Sequence, residues 1–238
     1  MDRHGTERDH GHVLVGMERM SSTVIELNKV TFGYHADRPV LQELDWVVPA
    51  GARVGIVGAN ATGKSTLLHI CMGLRRVQSG DVVVYGQRRV TERDFREVRA
   101  RMGLLFQDSD NQLFCPTVLD DVAFGPLHLG ATPAAAQTAA REALKTVGLP
   151  GYEERITSRL SAGEKKCVAL ATNLAMQPDT LLLDEPTSFL DEPSRARLLD
   201  VLARLSVTLV MVSHDHEFMK ALTTTRYCLR DGRLVTDG

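Results

Sequence analysis

Between Gly58 and Thr66 the chain reads Gly-Ala-Asn-Ala-Thr-Gly-Lys-Ser-Thr, and this stretch constrains the fold more than any other. It fits the phosphate-binding pattern G-x-x-x-x-G-K-[ST], with Thr66 one position beyond. Val54, Gly55, Ile56 and Val57 form a short apolar run ahead of it, read as a buried strand. Leu67, Leu68, Ile70 and Cys71 recur at helical spacing behind it. A strand, a glycine-bearing loop and a helix start aim backbone N–H groups at one point, and the helix dipole adds partial positive charge there. A phosphate chain is the natural occupant. Lys64 can reach its outer phosphates and the Ser65 hydroxyl can ligate Mg²⁺. Gly58, Asn60, Ala61, Thr62, Gly63, Lys64, Ser65 and Thr66 are therefore the expected nucleotide contacts. By itself the pattern does not separate an ATPase from a GTPase or a small-molecule kinase.

Two hundred and thirty-eight residues suffice for one large domain or two small lobes. Twenty-eight basic against thirty acidic residues leave a net charge of −2, so nothing points to a nucleic-acid partner or a polybasic anchor. Cys71, Cys115, Cys167 and Cys228 show no C-x-x-C spacing and are expected as reduced thiols, mostly in the core. No run of eighteen apolar residues is present. Residues 1–22 are polar and aperiodic, and are expected to be a disordered extension. His4, His10 and His12 in it lack ordered metal-ligand spacing.

Residues 23–48 alternate, which predicts short antiparallel strands. Residues 92–101 read as a charged, exposed helix, and 102–106 as a strand followed by Gln107. Residues 108–126 read as a long irregular loop. Thr132-Pro133 opens a helix to about Val147, and a second runs from Ser161 to before Pro178. Buried strands are expected at 180–183 and 208–212 with a helix over 193–205 between them, and a closing hairpin around Asp231-Gly232. Buried strands alternating with helices predict an α/β core with a mainly parallel sheet. An α-helical subdomain is expected as an insert over about 108–179, and residues 23–238 as one unit.

Leu182-Leu183-Asp184-Glu185 ends an apolar strand in two carboxylates. That places both acids at the carboxyl edge of the sheet, where the phosphate loop also sits. Asp184 is suited to the Mg²⁺ shell, and Glu185 to orienting or deprotonating the attacking water. Ser161 and Glu164 form an S-x-x-E capping box, so a helix begins there. Small residues keep its N-terminus bare, ready to meet a phosphate.

Taken together these segments resemble the nucleotide-binding subunit of an ABC transporter. The ordered motifs are the phosphate loop Gly58–Thr66, Gln107, the signature Leu160–Glu164, the acidic strand end Leu181–Glu185, the segment Ser188–Asp191 and His214. The resemblance implies a P-loop NTPase (RecA-like) core with an antiparallel β subdomain and the helical insert. It implies ATP and Mg²⁺ as cofactors. Tyr34 would stack on adenine, Gln107 would touch Mg²⁺ or the water, and His214 would hold the γ-phosphate and the Glu185 geometry. Ser161, Ala162 and Gly163 would contact the γ-phosphate held by the opposite subunit, with Asp191 working across the interface. The family's unit is a head-to-tail dimer; one copy of each half-site implies a symmetric homodimer.

Residues 106–126 further resemble the energy-coupling-factor group, nearest the cobalt and nickel subunits of the CbiO type. That resemblance implies a peripheral protein at the cytoplasmic face of the inner membrane. It would contact a transmembrane scaffold (the T component) near Gln107–Phe124 and, through it, a substrate-binding membrane component. Leu113, Phe114, Val118 and Phe124 are the residues expected on the docking groove. The chain's length favours a transition metal importer, with nickel, biotin or another vitamin as alternatives. ABC ATPases of translation carry two cassettes in one chain, and those of DNA repair a long coiled-coil insert. Neither pattern is seen here. Two departures stand out. The signature reads Leu-Ser-Ala-Gly-Glu where relatives read L-S-G-G-Q, and Cys167 sits where relatives often carry Arg. They predict an active but slow ATPase.

Overall fold

A computed structural model describes residues 23–35 and 38–237. The expectations for residues 1–22, His4, His10 and His12 included, lie outside it. Two sheets form the frame. The first is antiparallel, in the order β2-β1-β4-β5, from β1 (Thr23–Phe32), β2 (Leu41–Pro49), β4 (Ser79–Val84) and β5 (Gln87–Arg88). The second has six strands in the order β10-β9-β3-β8-β7-β6. They are β3 (Arg53–Val57), β6 (Met102–Leu105), β7 (Thr180–Asp184), β8 (Thr208–Val212), β9 (Thr225–Arg230) and β10 (Arg233–Thr236). All its pairings are parallel except the hairpin β9–β10.

The parallel strands are covered on both faces, as their unbroken apolar sequences require. Leu181, Leu183, Leu209 and Met211 face one core cluster. Leu182, Val210 and Val212 face the other, following the period-two alternation of a strand. The first cluster joins the sheet to the helices α3 (Val118–His128), α4 (Pro133–Thr146), α5 (Ala162–Leu174) and α6 (Glu192–Arg204). The second joins it to the antiparallel sheet, to α1 (Lys64–Cys71) and to α2 (Glu92–Arg101). The short α7 (His216–Leu222) completes the chain's helices among the described residues.

Four expectations need correction. Residues 108–126 are not an irregular loop, since α3 occupies Val118–His128. Thr117 caps it by accepting the Asp120 N–H at 3.2 Å, and Asp120 and Asp121 suit its positive end. Gly125 and Pro126 look like breakers, yet Gly125 is where Met176 packs closely, 2.7 Å from where a Cβ would stand. Val118 is fully buried, so it belongs to the core and not to a docking face. The charged α2 is not exposed all round: Phe95 and Val98 are buried, three residues apart on one face. Finally, α7 has no expected counterpart; its sequence cue was Asp215, which accepts the Phe218 N–H at 2.9 Å as an N-cap. Among the described residues no helix is long and apolar enough to cross a membrane.

Candidate functional site

The carboxyl ends of four parallel strands deliver the chemistry to one edge. β3 runs into the phosphate loop, β6 into Gln107, β7 ends at Asp184 ahead of Glu185, and β8 leads through Ser213 to His214. A cleft of about 750 Å³ opens there, lined by Tyr34, Asn60, Ala61, Gly63, Lys64, Ser65, Thr66, Gln107, Glu185 and His214. Ten of the sequence-derived residues thus converge on one cavity.

The loop geometry depends on its glycines. Gly63 is the N-cap of α1 at φ 102°, a conformation L side chains rarely adopt, and a Cβ there would stand 2.4 Å from Val40. Thr62 Oγ1 donates to the Ala59 carbonyl at 2.9 Å. Lys64 Nζ donates to the carbonyls of Gly58 and Ala59, each at 2.8 Å. Its ammonium therefore sits over the loop. Burial lowers the Lys64 pKa, opposed by the charges of Glu185 and Asp184.

Ser65 Oγ donates to Asp184 Oδ1 at 2.9 Å, joining α1 to β7. Burial raises the Asp184 pKa, opposed by that hydrogen bond and then by His69 and Lys64. A buried carboxylate beside a hydroxyl is an oxygen donor set suited to a hard divalent cation, which would favour its charged form. Glu185 lies at φ 45°, an unusual value for a non-glycine residue. Its Oε2 accepts the His214 backbone N–H at 3.1 Å, and its Oε1 lies 3.2 Å from His214 Nε2.

Tyr34 is exposed on one side and tethered on the other. Its hydroxyl is 3.0 Å from Thr66 Oγ1, its ring meets Phe32 edge-on at 5.2 Å, and the Arg75 guanidinium lies 5.7 Å from the ring centre. An aromatic surface is thereby held beside the phosphate loop.

Ser161, Ala162 and Gly163 do not line this cleft. They start α5, with the capping box in place: the Ser161 N–H donates to Glu164 Oε2 at 2.8 Å and the Glu164 N–H to Ser161 Oγ at 3.3 Å. Glu164 also accepts from Tyr152 at 2.7 Å and from Arg155 at 3.4 Å. These bonds, the Ser161 N–H first, lower its pKa. Asp191 caps α6, accepting the Ser194 N–H at 3.0 Å. A second, smaller cleft is lined by Ala162 together with Ser188 and Phe189. Gln107 and Ser188 border both clefts.

Several contributors escaped sequence reasoning. Thr187 and Asp215 line the main cleft beside the expected Ser188. Lys166 is buried and donates to the carbonyls of Phe106 at 3.1 Å and Gln107 at 2.7 Å, with burial pushing its pKa down to about 8. Its only sequence cue was its place two residues after the capping box, at the start of the apolar run Cys167–Ala171.

Comparison with known proteins places this geometry. A family model described as "ABC transporter" matches residues 41–188. A Nitratidesulfovibrio vulgaris chain named for an ABC transporter ATP-binding role is 47% identical over 214 residues, covering 90% of this chain and 78% of its own. The energy-coupling factor transporter ATP-binding protein EcfA of Methanothermobacter thermautotrophicus is 37% identical over 219 residues, covering 90% and 70%. The solved structure of CbiO1 from Clostridium perfringens, part of the ABC transporter complex CbiONQ, aligns at a TM-score of 0.80 with 28% identity, covering 90% and 87%.

Proposed function

Because the chain belongs to the ABC transporter family and carries its ATP-hydrolysing cassette, we propose that it powers import of a transition metal ion, cobalt foremost, through an energy-coupling-factor type transporter. The observation that carries the dimeric part of this reading is a separation. Ser161–Gly163 start a helix outside the cleft that holds Lys64, Glu185 and His214. One chain therefore holds two incomplete half-sites, and a second copy turned head to tail completes both.

In this reading Tyr34 stacks on the base and the loop N–H groups and Lys64 bind the phosphates. Mg²⁺ would be held by Ser65 and Asp184, with Gln107 at its edge, and supplies charge neutralisation of the phosphates when bound. Glu185 orients and deprotonates the attacking water, and its grip on His214 keeps both groups directed at the γ-phosphate. Ser161, Ala162 and Gly163 offer backbone N–H groups and a helix N-terminus to the nucleotide of the partner copy. Asp191 works from the segment that meets that copy.

A groove of about 940 Å³ supports the membrane-scaffold part. It is predominantly apolar, with Met72, Leu74, Phe114, Phe124, Leu129 and Met176 in its wall. Phe114 and Phe124 meet edge-on at 4.9 Å and are both exposed. Asp121 also lines it; its Oδ1 accepts the Phe114 and Cys115 N–H groups, while its buried Oδ2 has no partner among the described residues. A scaffold helix offering apolar side chains fits this wall. Docking there keeps the chain peripheral, at the cytoplasmic face of the inner membrane.

The test is cobalt uptake in a strain lacking this gene. Wild-type protein should restore it and Lys64→Ala should not. Restoration of nickel or biotin uptake instead would redirect the cargo assignment, and no effect on any of them would overturn the importer reading.

A further inference from the structure

The first turn of α6 lies between two functional segments of the same chain. On one side stands Gly163. A Cβ there would lie 2.1 Å from Ser194 Oγ and 2.7 Å from Ser194 Cβ, so the bare backbone of α5 meets the Ser194 side chain of α6. On the other side Arg195 forks onto Asp215, with Nε to Oδ2 at 2.6 Å and Nη2 to Oδ1 at 2.9 Å. Asp215 follows His214 directly and holds its own place twice over. Its N–H donates to Ser213 Oγ at 3.0 Å, and its Oδ1 caps α7 at Phe218. His214 in turn donates its backbone N–H to Glu185 at 3.1 Å, and its ring Nε2 lies 3.2 Å from the same carboxylate.

The path Gly163, Ser194, Arg195, Asp215, His214, Glu185 is contiguous. Its members differ in what they touch: neither Ser194 nor Arg195 lines the nucleotide cleft. A planar guanidinium fork fixes angle as well as distance, so it transmits a rotation that a single contact would absorb. Gly163, lacking a Cβ, lets the Ser194 side chain stand against the start of α5, so a shift of that start is met at the first turn of α6.

We propose that the first turn of α6 is a relay between the two ATP sites of the dimer, with Arg195 as its positioning residue. Docking of Ser161–Gly163 against the nucleotide of the partner copy sets the His214–Glu185 pair in the chain's own site. The proposal rests on the dimer reading above. It differs from simple stapling of α6 to α7, which would affect stability alone. A demonstrated path requires coupling data, and kinetics supply them.

The experiment measures the ATP dependence of hydrolysis for full-length wild-type, R195M and R195K proteins, with melting temperatures alongside. Wild type should show cooperative turnover, with a Hill coefficient between about one and the ceiling of about two set by two sites. R195M should lower kcat roughly tenfold, leave the KM for ATP within about twofold and bring the Hill coefficient towards one. R195K should recover part of both. R195M with wild-type kcat and Hill coefficient overturns the relay, as does a KM that rises while the Hill coefficient holds. If R195M does not fold, R195K decides: unchanged cooperativity and kcat overturn the relay. Wild type that neither turns over nor dimerises with ATP would instead overturn the dimer reading itself.

Discussion

Glu185 engages His214 at two points of its carboxylate, with Oε2 on the backbone N–H at 3.1 Å and Oε1 3.2 Å from Nε2. A contact to the ring alone would break whenever the imidazole changed rotamer. The main-chain bond makes the carboxylate's place a property of the β7 and β8 strand ends. Glu185 keeps this place at φ 45°, a conformation that costs a non-glycine residue about 1–3 kcal/mol and clusters at active sites.

Glu185→Gln should keep the shape and remove the basic group. Phosphate release should fall by about 10²–10⁴, while ATP binding persists. Size-exclusion chromatography with ATP and Mg²⁺ should show a stable dimer. A variant that stays monomeric under saturating nucleotide contradicts the head-to-tail dimer.

The signature departures make a second prediction. In the proposed dimer, Ala162 adds a methyl group where backbone would approach the partner's phosphate. Glu164 is engaged within its own subunit by Ser161, Tyr152 and Arg155. Ala162→Gly combined with Glu164→Gln should raise ATP turnover, measured as phosphate release. The melting temperature should fall, because an anionic cap is worth about 1 kcal/mol at a helix start. Unchanged turnover would show that the departures do not slow the enzyme.

Stability should depend on acid in a defined direction. The bonds from Ser161 and Tyr152 hold the Glu164 carboxyl below its ordinary 4.5. The Arg195 fork holds Asp215 below 3.8. A folded-state pKa below the unfolded one contributes stability that is fully present above the unfolded value and lost as pH falls towards the folded one. The melting temperature should therefore drop as pH passes below about 4.5. Glu164→Gln should be less stable at neutral pH and should show a shallower acid decline. An identical pH profile for the variant would remove Glu164 from the account.

The groove makes a prediction independent of hydrolysis. Phe124→Asp puts a charge into the Phe114–Phe124 pair on an exposed wall, where substitutions alter stability little. Its melting temperature should stay near that of wild type, and the protein should no longer co-sediment with membranes from its native host. Retained co-sedimentation would place the membrane contact elsewhere.

The α3 cap offers a stability check on a segment whose sequence reading failed. Thr117→Ala removes the side-chain oxygen that accepts the Asp120 N–H at 3.2 Å. Chemical denaturation should show a loss of about 1 kcal/mol. A neutral result would mean that packing of Val118 and Val122, both fully buried, holds the helix start unaided.

Local sequence determined what could be read without the partners of each segment. Gly58–Thr66, the Leu-Leu-Asp-Glu strand end and the Ser161–Glu164 box each state their geometry within nine residues or fewer, because turn conformation, strand burial and capping are short-range effects. Tertiary structure decided what depends on residues far apart in the chain. It made α3 a helix despite Gly125-Pro126, since Met176 fits the space a larger residue would fill, and it buried Val118. It also set Ser65 against Asp184, 119 positions on, and Arg195 against Asp215 across two helices. Periodicity carries no information about such pairs, because they exist only once the β3, β7 and β8 ends share one sheet edge.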